Sequence, residues 1–124
     1  MTEDRNETTQ TRIVFRSDLN DHGTLFGGRA LEWMDEVAYI AASRHVRKPV
    51  VTISVDAVKF RKSLSEGDIA IVSGTIVETG VYRMRASVKI TKEEKYSGET
   101  ETAIEATYLF AAIDENQKPL KLKA

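Results

Sequence analysis

Cysteine is absent from this 124-residue chain, and proline occurs only twice. The first absence excludes disulfides, thiolate-bound zinc, iron–sulfur clusters and a thiol nucleophile together. Histidine is nearly as scarce, with His22 and His45 alone and no His-x-x-His or His-Glu-x-x-His spacing, so no metal site is expected. Neither Gly-x-Ser-x-Gly nor Gly-x-x-x-x-Gly-Lys-[Ser/Thr] occurs, which argues against a nucleophile elbow and a P-loop. No stretch of about 18 apolar residues is present, and the opening MTEDRNETTQ has neither a basic nor an apolar signal region. A cytoplasmic protein with no membrane partner is the expectation. An excess of charge is missing too, since 18 Lys and Arg face 19 Asp and Glu for a formal net charge of -1. Nothing there calls for nucleic acid, and any anion site has to be local.

What is present fits one domain. The chain is 41% hydrophobic and 30% charged, and at this length folding buries roughly two-thirds of the unfolded surface, so no staple is needed. Residues 1–10 are polar or charged after Met1 and read as a mobile tail. Residues 11–116 read as the domain and 117–124 as a C-terminal tail. Within the domain, 12–16 read as a short strand and 17–28 (SDLNDHGTLFGG) as a loop. A loop this long in so small a domain points to function.

From residue 29 to about 44 the pattern becomes helical, and ten of the thirteen residues from Ala30 to Ala42 are apolar. Apolar side chains nearly all round predict a helix wrapped by other elements. After Pro49 the period shortens to two, with strand-like runs near 50–60, 68–79, 81–91 and 100–113 separated by turn formers. The third run alternates most clearly, with Tyr82, Met84, Ala86, Val88 and Ile90 on one face and Arg83, Arg85, Ser87 and Lys89 on the other. The first places Val51, Ile53, Val55 and Ala57 inward and then reverses phase to Val58 and Phe60, which predicts a bulge near 57. The fold class is α+β, with four meandering antiparallel strands curled around one central helix.

The loop-to-helix junction carries the chemistry. Gly27-Gly28 opens the helix with no Ser, Thr, Asp or Asn immediately before it, so first-turn amides and the helix dipole favour an electronegative oxygen there. The alternative is an ordinary glycine cap whose amides are satisfied by Thr24 or water. Asp35 falls on the same helical face as Leu31, Ala38 and Ala42 and interrupts an apolar stripe. A carboxylate there is costly unless it does chemistry; the other reading makes it the edge of an acidic face with Glu32 and Glu36.

Asn20 offers a donor and an acceptor to a water or a carbonyl, or else closes an Asx-turn. His45 sits where it would stabilise the helix C-terminus. Arg61 and Lys62 follow the first long strand and either bind phosphate as point charges or are simply solvated. Arg83, Arg85 and Lys89 are expected to pair across the sheet with Glu101 and Glu105.

Taken together, Asn20-Asp21-His22-Gly23-Thr24-Leu25-Phe26-Gly27-Gly28, Leu31, Met34-Asp35-Glu36, Ala38, Arg44-His45, Val51-Thr52, Ser54-Val55-Asp56 and Phe60 resemble one family. It is the hotdog-fold acyl-CoA thioesterases, in the branch holding the bacterial YciA-like enzymes and the mammalian brain acyl-CoA hydrolase. The similarity runs from about Thr11 to Ile113.

The resemblance implies a sheet wrapped around one long helix and hydrolysis of fatty acyl-CoA to free acid and CoA. No metal and no cofactor are implied, CoA being part of the substrate. The family's catalytic aspartate falls on Asp35 and its asparagine on Asn20, with Gly27 and Gly28 as carbonyl-binding amides; Phe26, Arg61 and Lys62 are the substrate-binding candidates. It further implies a homodimer whose sites take the asparagine from one subunit and the aspartate from the other, with dimers assembling into a hexamer as a trimer of dimers. His22 falls where relatives vary and is given no role. Two other classes share the fold or the ligand: a hydratase or dehydratase acting on acyl thioesters, which usually needs a histidine, and a non-catalytic acyl-CoA sensor.

Overall fold

The computed structural model describes residues 7–122. Six strands and one long helix follow in the order β1 (Glu7–Ile13), a 3-10 turn (Arg16–Asp18), α1 (Gly27–Val46), β2 (Val50–Phe60), β3 (Ile69–Thr79), β4 (Arg83–Glu93), β5 (Thr100–Ile113) and β6 (Pro119–Leu120). All pairings are antiparallel, in the sheet order β1-β3-β4-β5-β2, with β6 on β5. The α+β class, the bound sheet and the single long helix are as expected.

The described strands run beyond the expected domain bounds of 11–116 at both ends. The polar stretch from Glu7 to Gln10 pairs with Gln10 opposite Val72 and Glu7 opposite Thr75, because a strand needs backbone partners and only one apolar face to hold it. The first strand therefore spans Glu7–Ile13 rather than 12–16; residues 1–6 lie outside the described residues. At the other end, Pro119 and Leu120 pair with Ile113 and Ala112. Leu122 is buried and donates its N–H to the Val81 carbonyl at 2.8 Å. Residues 123–124 lie outside the description.

Helix α1 lies chiefly on β3 and β4. It buries Ala30, Trp33, Met34, Val37, Ala38, Ala41 and Ala42 and exposes Glu32, Glu36 and Tyr39. It is thus covered on one side rather than wrapped all round, since one sheet reaches only the face turned toward it. Gly74 sets how closely helix and sheet approach: a β-carbon there would stand 3.2 Å from Val37 Cγ1 and 3.7 Å from the Ala38 Cα. Arg47 ends the helix in the left-handed region (φ 52°), with its N–H on the Ser43 carbonyl.

Strands β3, β4 and β5 form the meander, but β2 pairs with β5 and becomes a sheet edge. The predicted bulge is present, with Ala57 at φ 52° and a register shift between Asp56 and Lys59. The inward assignment of Ile53, Val55 and Ala57 is corrected: all three are exposed, and Val50 is the buried residue of β2. As a sheet edge, β2 is touched by α1 only in part, so its alternate residues are left uncovered. The β4 alternation holds from Met84 to Ile90, whereas Tyr82 precedes the strand and is exposed.

Candidate active site

The loop before α1 is a compact turn built on Asn20. Its Oδ1 accepts the N–H groups of His22 (2.8 Å) and Thr24 (3.2 Å), and its Nδ2 donates to Thr24 Oγ1 (3.0 Å). The Asx-type arrangement is therefore realised, with Gly23 taking the positive φ (83°) that the turn requires. One of the two amide N–H donors of Asn20 is left over. Leu25 N–H on the Leu64 carbonyl (2.8 Å) and Phe26 N–H on the Asp18 carbonyl (2.9 Å) then deliver the chain to the helix.

The first turn of α1 has no side-chain cap. The amides of Gly27 and Gly28 find no acceptor among the described residues, and Thr24 spends its hydroxyl on Asn20 rather than on them. Two aromatic rings flank these amides. A β-carbon on Gly28 would stand 2.8 Å from Phe26 Cε1, and one on Gly27 would stand 3.6 Å from the Phe60 ring. Both rings are more than half exposed, so the helix N-terminus opens toward solvent between apolar walls. Donors aimed at such a place are suited to an oxygen that gains negative charge.

A groove of about 510 Å³ runs from this junction, lined by Asn20, Gly27, Phe60, Arg61, Lys62 and Ile104 among others. Four of the expected site residues are thus brought to one place, and Phe26 stands at its rim over Gly28. Arg61 pairs with Glu105, whose carboxyl it holds below its ordinary range chiefly through that hydrogen bond. Arg85 pairs instead with Glu78 (3.4 Å) and Asp56 (3.9 Å), which corrects the expected Arg85 pairing with Glu101 or Glu105. Lys89 does stand opposite Glu105 in register. A wider groove of about 900 Å³ beside Val51, Ile53 and Tyr82 holds none of the candidate residues.

Asp35 stands elsewhere. Eight residues separate it from Gly27, roughly 12 Å along the axis at about 1.5 Å per residue. It is half-buried, on the border between the covered face and the acidic one. Thr52 Oγ1 from β2 donates to its Oδ1 at 2.9 Å. Within one chain, Asp35 and Asn20 share neither a hydrogen bond nor a groove among the described residues. Thr52 was not singled out for a role from the sequence, because an isolated threonine in a strand looks like ordinary β propensity. Phe60 entered only as an apolar residue of the first long strand and as part of a motif, and it is exposed at the groove rather than partly buried with Val58.

His22 is exposed beside an equally exposed Asp21 (3.7 Å). His45 bonds Thr79 Oγ1 (2.9 Å) rather than a helix-end carbonyl. Among the described residues no three His, Asp or Glu side chains cluster as metal ligands, and no helix is long and apolar enough to cross a membrane.

One long helix packed on a six-stranded antiparallel sheet is the arrangement of a hotdog-fold protein. Residues 22–99 match the family model of the thioesterase superfamily, and the chain belongs to that superfamily. A Bacillus subtilis protein named as an acyl-CoA thioester hydrolase, YkhA, is 37% identical over 114 residues; the match covers 92% of this chain and 66%, just under two thirds, of the relative. A hexameric acyl-CoA thioesterase in its apo form superimposes with a TM-score of 0.91 at 36% identity, over 94% of this chain and 75% of the other.

The acyl-CoA hydrolase of Staphylococcus aureus, solved with butyryl-CoA, CoA and CoA disulfide, gives a TM-score of 0.90 at 31% identity, over 97% of this chain and 73% of the other. That enzyme has also been solved with an asparagine, an aspartate and a threonine each replaced by alanine. The first two are fifteen positions apart and the last two seventeen. Asn20, Asp35 and Thr52 have the same spacing.

Proposed function

We propose that the chain hydrolyses fatty acyl-CoA to free acid and CoA, with Asp35 as general base on water. One observation carries this reading: Asn20, Asp35 and Thr52 stand at the spacing of the three residues replaced in the Staphylococcus aureus hydrolase, and two of them are hydrogen-bonded here. Thr52 occupies Oδ1 and leaves Oδ2 to take the proton of the attacking water. Hydroxide adds to the thioester carbon, whose oxygen accepts from the Gly27 or Gly28 amide and from the spare N–H of Asn20. The acceptor of Asn20 is spent on its own turn, which favours carbonyl binding over water placement. Collapse breaks the C–S bond, and sulfur leaves as thiolate to be protonated. Direct attack by the carboxylate, giving an anhydride, is the competing route; it alone would carry solvent oxygen-18 into Asp35 during a single turnover.

The separation of Asp35 from the Asn20 groove supports a site made by two subunits, one giving Asn20, Gly27 and Gly28 and the other Asp35. The exposed Ile53 and Val55 on the unpaired edge β2 supply apolar surface for such a pairing, and the hexameric relative supports assembly of dimers to a hexamer. Arg61 and Lys62 are the phosphate-binding cations and Phe26 a wall of the acyl thioester site. Neither histidine lines the groove, which counts against a hydratase. Incubation with a series of acyl-CoAs and a thiol reagent tests the reading: release of CoA supports it. A hydroxyacyl product with the thioester intact would show a hydratase, and binding without turnover a sensor.

A further inference from the structure

Tyr108 is the largest fully buried side chain among the described residues, 1% exposed in the interior strand β5. A buried phenol needs a partner, and this one donates to the carbonyl of Leu31 at 2.9 Å. Leu31 is four residues before Asp35, so in the helical pattern the same carbonyl receives the amide N–H of Asp35. Two donors therefore meet on one oxygen, one from the sheet and one from the backbone of the proposed base.

The sheet grips this turn twice. Tyr108 pairs in register with Val55 of β2, and Thr52 of the same strand holds the Asp35 carboxylate. Neighbouring strands thus fix the backbone and the side chain of a single residue. Burial, and secondarily the negative charge of Asp35, push the Tyr108 phenol well above its ordinary range, so it remains a neutral donor through neutral pH. The groove residues make no use of it.

We propose that Tyr108 is a positioning residue for Asp35, its hydroxyl fixing through the Leu31 carbonyl the helical turn from which the carboxylate reaches the reacting water. This rests on Asp35 acting as the base. A hydrogen bond of ordinary net strength is worth about a fivefold change, and because the hydroxyl acts on the reacting geometry that factor belongs to kcat and not to KM.

The test is a double-mutant cycle on the assembled protein with an acyl-CoA substrate. Tyr108→Phe keeps the ring and leaves the Leu31 carbonyl its helical partner, so the fold is retained; a thermal midpoint and the assembly size check this. The expected result is a fall in kcat of about fivefold with KM within about twofold, and no further fall when Tyr108→Phe is added to Asp35→Ala. An equal loss in both backgrounds, or unchanged kcat in the single variant, overturns the proposal. Full turnover by Asp35→Ala alone identifies instead a failure of the general-base reading, and the proposal falls with it. Should Tyr108→Phe fail to assemble, site-specific 4-fluorophenylalanine at position 108 fills the space of the hydroxyl without donating; the same fall in kcat of about fivefold is expected, and unchanged kcat would overturn the proposal.

Discussion

The hydroxyl of Thr52 donates to the carboxylate of Asp35 across 2.9 Å, joining the edge strand β2 to the middle of α1. A hydrogen bond to a charged group is worth about 1.5–3 kcal/mol. Thr52→Ala is therefore expected to lower kcat about 10- to 100-fold, while Thr52→Ser, which keeps the donor, stays within a few-fold. Steady-state thiol release by the two variants checks this. Equal losses in both would show that the methyl group, not the hydroxyl, is what counts.

The phosphates of CoA are remote from the reacting carbon, so cations that hold them, here Arg61 and Lys62, bind ground and transition states alike. Replacing both by Ala raises KM for acyl-CoA at low salt and leaves kcat nearly unchanged. Arg61 is already engaged by Glu105, and Glu105→Gln should release it and lower KM. The Glu105 carboxyl is depressed by that pair, so the pair's contribution is present above the unfolded-state value and is lost as pH falls through the lowered one. Both side chains are substantially exposed, which keeps the contribution small. In Arg61→Ala, an NMR titration should find Glu105 close to its ordinary 4.5.

Two backbone positions give opposite stability changes. Gly74→Val overfills the 3.2 Å approach to Val37 and is expected to cost about 1–3 kcal/mol. Ala57→Gly relieves a positive φ of 52° in the β2 bulge and is expected to stabilise by up to about 1 kcal/mol. Denaturant midpoints at fixed protein concentration measure both.

The strands from 50 to 113 were legible because alternation over ten or so residues leaves little choice of element, and the phase reversal at Ala57 announced its own bulge. Local pattern could not say which strands are neighbours. It therefore missed that β2 crosses to β5, and with it the exposure of Ile53 and Val55. Glu7–Ile13 hid for the same reason, its place being fixed by β3 rather than by its own side chains. At the site, glycines at a helix start and an aspartate in an apolar helix can be read from a sequence. The partners Thr52 and Tyr108 come from strands 17 and 77 residues from the atoms they hold, and only the fold brings them there.

Co-expressed Asn20→Ala and Asp35→Ala chains test the shared site. If the two residues meet across subunits, mixed dimers contain one site lacking both and one lacking neither. Random pairing makes about half of all dimers mixed, each with one intact site, so part of the wild-type rate returns. No recovery in verified mixed dimers would place both residues in one subunit's site.

The central claim is that Asp35 is the base of a thioester hydrolysis, and the turnover of acyl-CoA by folded Asp35→Ala, read as free thiol, tests it most directly. Loss of a general base predicts a fall on the order of 10²-fold or more, with thermal midpoint and assembly size close to those of the wild type. Near-normal CoA release by the folded variant would contradict it.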